Sequence, residues 1–150
     1  MNSDKTPILD EIIFMLKVAN ELRTYGIFNS FMMKIKDRQD DFLALGYSMI
    51  CSGIDPNAIE KILNNLINLE CDPYLKQKKA IQAEGLLASH RGYPIAINAL
   101  LMLSHLGLDA IQSFESYLKE NDAEFYSASN TGLFIYGEFL NASLSSLIVD

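Results

Sequence analysis

The sequence holds no tryptophan, two cysteines, two histidines and four prolines in 150 residues. Cys51 and Cys71 cannot build a disulfide framework, and they are not spaced for zinc. With His90 and His105 as the only imidazoles, there is little material for a general base or a metal set. Basic residues are also scarce: 12 Lys and Arg against 19 Asp and Glu give a formal charge of -7. A surface that neutralises phosphate needs the opposite balance, so nucleic acid is not an expected partner. The N-terminal stretch MNSDKTP lacks a basic segment followed by an apolar run, which argues against a secretory signal. No alternating apolar–polar run with hairpin chemistry occurs, and no glycine-rich phosphate loop follows a strand.

What the chain does have is helix punctuation. Apolar residues at 49% and charged residues at 21% describe a globular chain about one domain long. Its mean hydropathy of +0.10 is high for that much charge. Thr6-Pro7, Asp55-Pro56 and Asp72-Pro73 each place a side-chain acceptor before a proline. Such a pair opens a helix, because the N–H that proline lacks has no intrahelical partner there anyway. Tyr93-Pro94 is a weaker fourth case. Gly26, Gly53, Gly92 and Gly107 follow periodic apolar segments and stand where helices stop. Apolar spacing of three to four residues marks helices at 7–25, around Phe28–Ile35, around Phe42–Ile50 and at 56–70. A fifth, at 73–90, is polar for much of its length. Residues 94–106 are apolar nearly all round, which predicts a buried helix. Asp109-Ala110-Ile111-Gln112 reads as a capping box opening a helix to about 120. Another helix starts near Asp122. The expectation is a single-domain, all-α bundle of about seven to eight helices spanning 1–150.

Candidate chemistry is sparse. His90 lies at a helix exit, where a cation meets the dipole favourably. His105 reads as a core or helix-end histidine, and both cysteines read as small, buried or half-buried hydrophobes. Asp37-Arg38-Gln39-Asp40-Asp41 lacks the alternating ligands of a calcium loop and reads as a solvated loop with an N-cap. Neither an enzyme, a cofactor nor a metal is expected. Two apolar stretches, 93–108 and 125–149, fall short of membrane spans, which need about 20 apolar residues without central charge. The second carries Glu138 at its middle, among many small residues that permit close helix approach.

In order along the chain, several short motifs resemble the flagellar motor stator A-subunit (MotA) of the MotA/TolQ/ExbB proton-channel superfamily. Ala19–Ile27, with Arg23 and Gly26, is similar to the signature opening that family's cytoplasmic domain. Asp41-Phe42-Leu43 and Ser52–Pro56, followed by Ile59 and Leu63, are similar to a later segment of the same domain. Tyr93-Pro94 stands where the family opens its third membrane helix, and Tyr136-Gly137 with Asn141-Ala142 resembles a pattern of the fourth. The resemblance divides the chain into 1–92, like the cytoplasmic region, and 93–150, like degenerate third and fourth membrane helices. It implies partner recognition through Arg23, and packing or channel-like roles for Pro94, Thr131, Tyr136, Gly137 and Glu138. The first two membrane helices have no counterpart here. Ile97, Leu100 and Leu101 replace the residues that line the family's ion path, and Phe31 replaces the glutamate paired with its arginine. The implied protein is therefore a non-conducting, cytoplasmic interaction protein whose partner is a flagellar motor component. A membrane-inserted channel subunit and a helical small-ligand module are the competing readings, and oligomeric state is left open.

Overall fold

The computed structural model describes the backbone of residues 5–25 and 34–129. Within them the chain is all-α, with no strand. The helices are α1 (Thr6–Tyr25), α2 (Asp41–Cys51), α3 (Pro56–Leu69), α4 (Pro73–His90), α5 (Ile95–Leu103), α6 (Leu108–Asn121) and α7 (Ala123–Ser129). A helical turn at 34–37 precedes α2. The chain forms two compact units, Met1–Met102 and Leu103–Asp150. Among the described residues, no helix is long and apolar enough to cross a membrane. The expected short helix around Phe28–Met32, the stop at Gly26 and everything from residue 130 onward lie outside the described residues.

The punctuation acts largely as its chemistry requires. Asp55 accepts hydrogen bonds from the N–H groups of Asn57 and Ala58 at 3.0 and 3.2 Å, with Pro56 next to it. Asp72 does the same for Tyr74 and Leu75 at 2.9 and 3.3 Å. Both exits read the same way. Gly53 and Gly92 each have φ of +76°. After each, the next N–H reaches back to a carbonyl five residues earlier, Ile54 to Met49 at 3.1 Å and Tyr93 to Ala88 at 3.0 Å. These are Schellman stops, which glycine adopts without a Cβ penalty.

Three boundaries differ from the sequence reading. Thr6 lies inside the first turn of α1, and the Lys5 carbonyl accepts the Leu9 N–H at 3.0 Å. Pro94 precedes α5 and supplies a carbonyl to Asn98 N at 3.0 Å. Asp109 caps nothing: α6 starts at Leu108 from Gly107, whose φ of +102° sets the chain's entry without a side-chain cap. Asp109 is left as an acid in the first turn, a favourable dipole position.

In the first unit α4 packs on α1, α3 and α2. That is unexpected for a helix polar over much of its length, and small side chains explain it. Ala83, Gly85 and Ala88 are buried with Ile81, Leu86 and Leu87. A Cβ at Gly85 would stand 2.6 Å from Met102 Sδ and 3.3 Å from Met15 Cε, and one at Gly46 would stand 2.3 Å from Leu86 Cδ1. The two glycines let α1, α2 and α5 close on α4. The buried side of α2 is Leu43, Gly46, Tyr47, Met49 and Ile50, whereas Leu45 is exposed. On α3, Ile59, Leu63 and Ile67 are buried as their spacing predicts. α5 is shorter and more open than its all-apolar sequence predicts, since Ile97 is exposed although Asn98, Ala99 and Met102 are fully buried. Asn98 Nδ2 donates to the Gly85 carbonyl and to Ser89 Oγ at 3.3 and 3.2 Å, fixing α5 to α4.

The second unit is simpler. Ala110, Phe114 and Leu118 form the buried stripe of α6, and Phe125 is buried on α7. Asp122 caps α7 through the Phe125 N–H at 3.1 Å, and Tyr126 Oη donates to Glu115 at 2.8 Å.

Candidate functional site

The most unusual chemistry of the first unit is a polar network inside it. Glu11 on α1 is 4% exposed and Gln82 on α4 is 1% exposed. Arg38, in the segment before α2, grips both carboxylate oxygens of Glu11: Nη1 donates to Oε2 at 2.9 Å, and Nη2 donates to Oε1. Its guanidinium also lies 3.9 Å over the Phe14 ring. Gln82 Nε2 donates to Glu11 Oε2 and to Asp40 Oδ2, both at 2.8 Å. Asp40 Oδ1 accepts the Leu43 N–H at 3.1 Å and so caps α2. Four side chains thereby tie α1, the 38–40 segment, α2 and α4 together. Charge-assisted, bidentate pairing of this kind supplies geometry that a single contact does not.

The electrostatics follow. The hydrogen bonds to Glu11 raise the Arg38 pKa, against the lowering effect of burial. Tyr47 is fully buried beside this cluster; burial first, and then the Glu11 charge, push its phenol far above the usual tyrosine value, with Arg38 opposing. Its Oη lies 3.9 Å from Met15 Sδ.

Above the network the surface opens. A cleft of about 400 Å³ is lined by Arg38–Phe42 on one side and by Leu75, Lys78, Lys79 and Gln82 of α4 on the other. A second, of about 490 Å³, is lined by residues that include Phe42, Leu45, Leu66, Leu69 and Cys71. Asp41, Phe42 and Lys79 belong to both, so the two make one furrow along α2, α3 and the start of α4. Lys79 Nζ donates to Glu70 Oε1 at 2.7 Å and lies 5.6 Å from the Phe42 ring centre. The Lys79 hydrogen bond, followed by the Asp72 backbone N–H, holds the Glu70 carboxyl below the usual range.

Little of this was legible as function. Glu11 falls beside the apolar stripe of α1 and reads as a surface acid. Gln82 sits in a run of lysines and glutamines. The Asp37–Asp41 stretch reads correctly as holding the α2 cap, Asp40, but Arg38 turns inward because only a guanidinium spans both Glu11 oxygens and the Phe14 face. Of the residues singled out from sequence, Arg23 is exposed in the last turn of α1 and Pro94 is exposed before α5; neither lines the furrow. Thr131, Tyr136, Gly137 and Glu138 lie outside the described residues. Both cysteines are exposed, contrary to expectation: Cys51 ends α2 off its buried face, and Cys71 sits in the α3–α4 connection. Of the two places expected for His105, core or helix end, it takes the second, exposed in the turn that follows α5. His90 is in the last turn of α4, as expected, where its Nε2 donates to the Ile54 carbonyl at 3.0 Å. Among the described residues, no group of three or more His, Cys, Asp or Glu is placed to hold a metal ion.

The fold and site thus define an all-α helical protein with an open furrow over a buried ion network. No protein-family model, curated protein or solved structure matches the chain.

Proposed function

We propose that the chain is a non-enzymatic protein-interaction protein that receives a segment of its partner in the furrow of α2, α3 and α4. The observation that carries this reading is the exposure of large apolar side chains on and beside that furrow: Leu45 at 40%, Leu75 at 40% and Leu69 at 76%. Contiguous apolar surface rimmed by charge is a common mark of a protein-binding site. Three of the four carboxylates in or beneath the furrow support a structural use, since Glu11, Asp40 and Glu70 are engaged in ion pairs or caps, while Asp41 stands in the first turn of α2. The resemblance of Ala19–Ile27 and Ser52–Pro56 to the stator A-subunit nominates a flagellar motor component in the cytoplasm as the partner.

The test pairs association with motility. Wild-type protein should retain purified motor components on a column, deletion of the gene should impair swimming, and Leu69→Asp should abolish retention with an unchanged melting temperature. Normal swimming on deletion, together with no retention by the wild type, would refute the proposal.

A further inference from the structure

We infer that a second copy of this chain closes the furrow, the two furrows lying face to face about a two-fold axis. The inference goes beyond the interaction function proposed above and does not rest on it. The two walls of the furrow are the starting point. The α2 wall carries Asp41 beside the first cleft and Leu45 in the second. The α3–α4 wall carries Lys78 beside the first cleft and Leu69 in the second. Leu69 is 76% exposed, more than any other large apolar side chain among the described residues. A two-fold axis along the furrow lays each wall over the opposite wall of the other copy, so that every contact is made twice. Asp41 of one copy then faces Lys78 of the other, and Leu45 faces Leu69.

The charges favour a second copy over a partner of one sign. Together the two clefts are lined by three cations, Arg38, Lys78 and Lys79, and three carboxylates, Asp40, Asp41 and Glu70. Arg38 is paired with Glu11 and Lys79 with Glu70, while Asp40 holds the Gln82 amide and the start of α2. That leaves Asp41 and Lys78, on opposite walls, which make no ion pair among the described residues. One charge of each sign on facing walls is complementary to itself, and not to a strongly basic or acidic segment. The furrow is also where two copies of a chain of formal charge -7 repel least, because its own charges cancel. Its apolar centre of Leu45, Leu66 and Leu69 is smaller than that of a standard interface of roughly 800 Å² per partner, which makes the dimer reversible and concentration-dependent. Such a dimer covers Leu69, so self-association and partner binding exclude one another.

Sedimentation velocity of the full-length protein over a concentration series tests this, in reductant because Cys51 and Cys71 are exposed. Wild type should pass from monomer to dimer below about 0.5 mM. Leu69→Asp should stay monomeric, with an unchanged melting temperature in dilute solution. Asp41→Lys and Lys78→Asp should each weaken self-association about tenfold or more, since like charges then face one another twice. Mixed in equal amounts, the two variants should recover wild-type association to within about threefold. In the mixed dimer one variant offers two cations and the other two carboxylates, so both contacts are attractive again. A monomer at every concentration would overturn the inference and leave the furrow to a different partner. A dimer indifferent to Leu69→Asp, or charge variants that mixing does not rescue, would overturn it as well. Retention of motor components is measured on protein diluted to monomer, so either reading can fail while the other stands.

Discussion

The two halves of α4 have opposite lives. Residues 73–77 are all exposed, Tyr74 and Leu75 among them. From Ile81 to Ala88 only Glu84 is not buried. The second half is a core helix that glycine and alanine allow to be packed from several sides. The first half projects past that core, and its lysines and leucine form a wall of the furrow. Gln82 stands where the halves meet, joined downward to Glu11 and lining the cleft above. A helix can therefore present a binding wall while its continuation anchors it, provided the junction is fixed by more than apolar contact.

The largest expected effect comes from breaking that junction. Glu11→Leu leaves Arg38 and Gln82 without their shared acceptor. Removing one partner of a buried pair costs about 3–5 kcal/mol; Arg38 is 29% exposed, so about 2–3 kcal/mol is expected from urea denaturation. Replacing Glu11, Arg38 and Gln82 together by Leu, Met and Leu should recover at least about half of that loss, since an apolar set of similar volume has no stranded charge. If the triple variant is no better than Glu11→Leu, the network contributes net stability and not only register.

Next comes the contrast between the halves themselves. Gly85→Val drives two methyl groups toward Met102 and Met15 and should cost about 1–3 kcal/mol, part of it absorbed by the flexible methionines. Leu75→Ser, nearly three turns earlier on the exposed half, should change stability by no more than about 0.5 kcal/mol. Equal effects at the two positions would remove the distinction on which the furrow rests.

The dry side of the network makes a smaller, pH-dependent prediction. Unfolded tyrosine titrates near 10, and burial holds the folded Tyr47 phenol well above that value. Above pH 10 the unfolded state binds fewer protons than the folded one, so stability falls as pH rises; below pH 10 this contribution is constant. The slope due to Tyr47 approaches about 1.4 kcal/mol per pH unit, or about 1 kcal/mol by pH 11. Tyr47→Phe should flatten the alkaline limb of the urea midpoint by that amount. Identical limbs would mean that the phenol ionises inside the folded protein and that the interior is open to water.

The sequence made the helices easier to read than the site. Asp55-Pro56, Asp72-Pro73, Gly53 and Gly92 announce their boundaries because capping and positive φ are local requirements that few residue types meet. They also carry part of the stator resemblance: Ser52–Pro56 is a Schellman stop followed directly by an aspartate cap and an N1 proline, which is one way to write a tight helix–helix connection. The central place of α4 was hidden because its packing depends on missing side-chain volume, at Ala83, Gly85 and Ala88, which hydrophobic periodicity does not register. The site was hidden for a different reason. Glu11, Arg38, Asp40 and Gln82 are 71 residues apart at the extremes, and each has an ordinary surface meaning alone. Only tertiary packing gives the glutamate a place beneath the arginine.

The smallest effect concerns the edge of the furrow opposite α4. Gln39 has φ of +56° and is the only non-glycine among the described residues with a positive φ; Gly53, Gly92 and Gly107 hold the others. It closes the helical turn at 34–37, with its N–H on the Lys36 carbonyl at 3.1 Å, the position where glycine is favoured. A glutamine there carries left-handed strain of about 1 kcal/mol, against which glycine loses part of its gain to the entropy of the unfolded chain. Gln39→Gly should therefore raise stability by about 0.5 kcal/mol, measured by urea denaturation. Gly53→Gln, at the matching stop after α2, should lower it by about 1 kcal/mol. The opposite signs would show that the chain tolerates strain at residue 39, where the side chain lines the cleft, and avoids it at residue 53. If Gln39→Gly protein retains purified motor components as tightly as wild type, that strain serves no role in recognition.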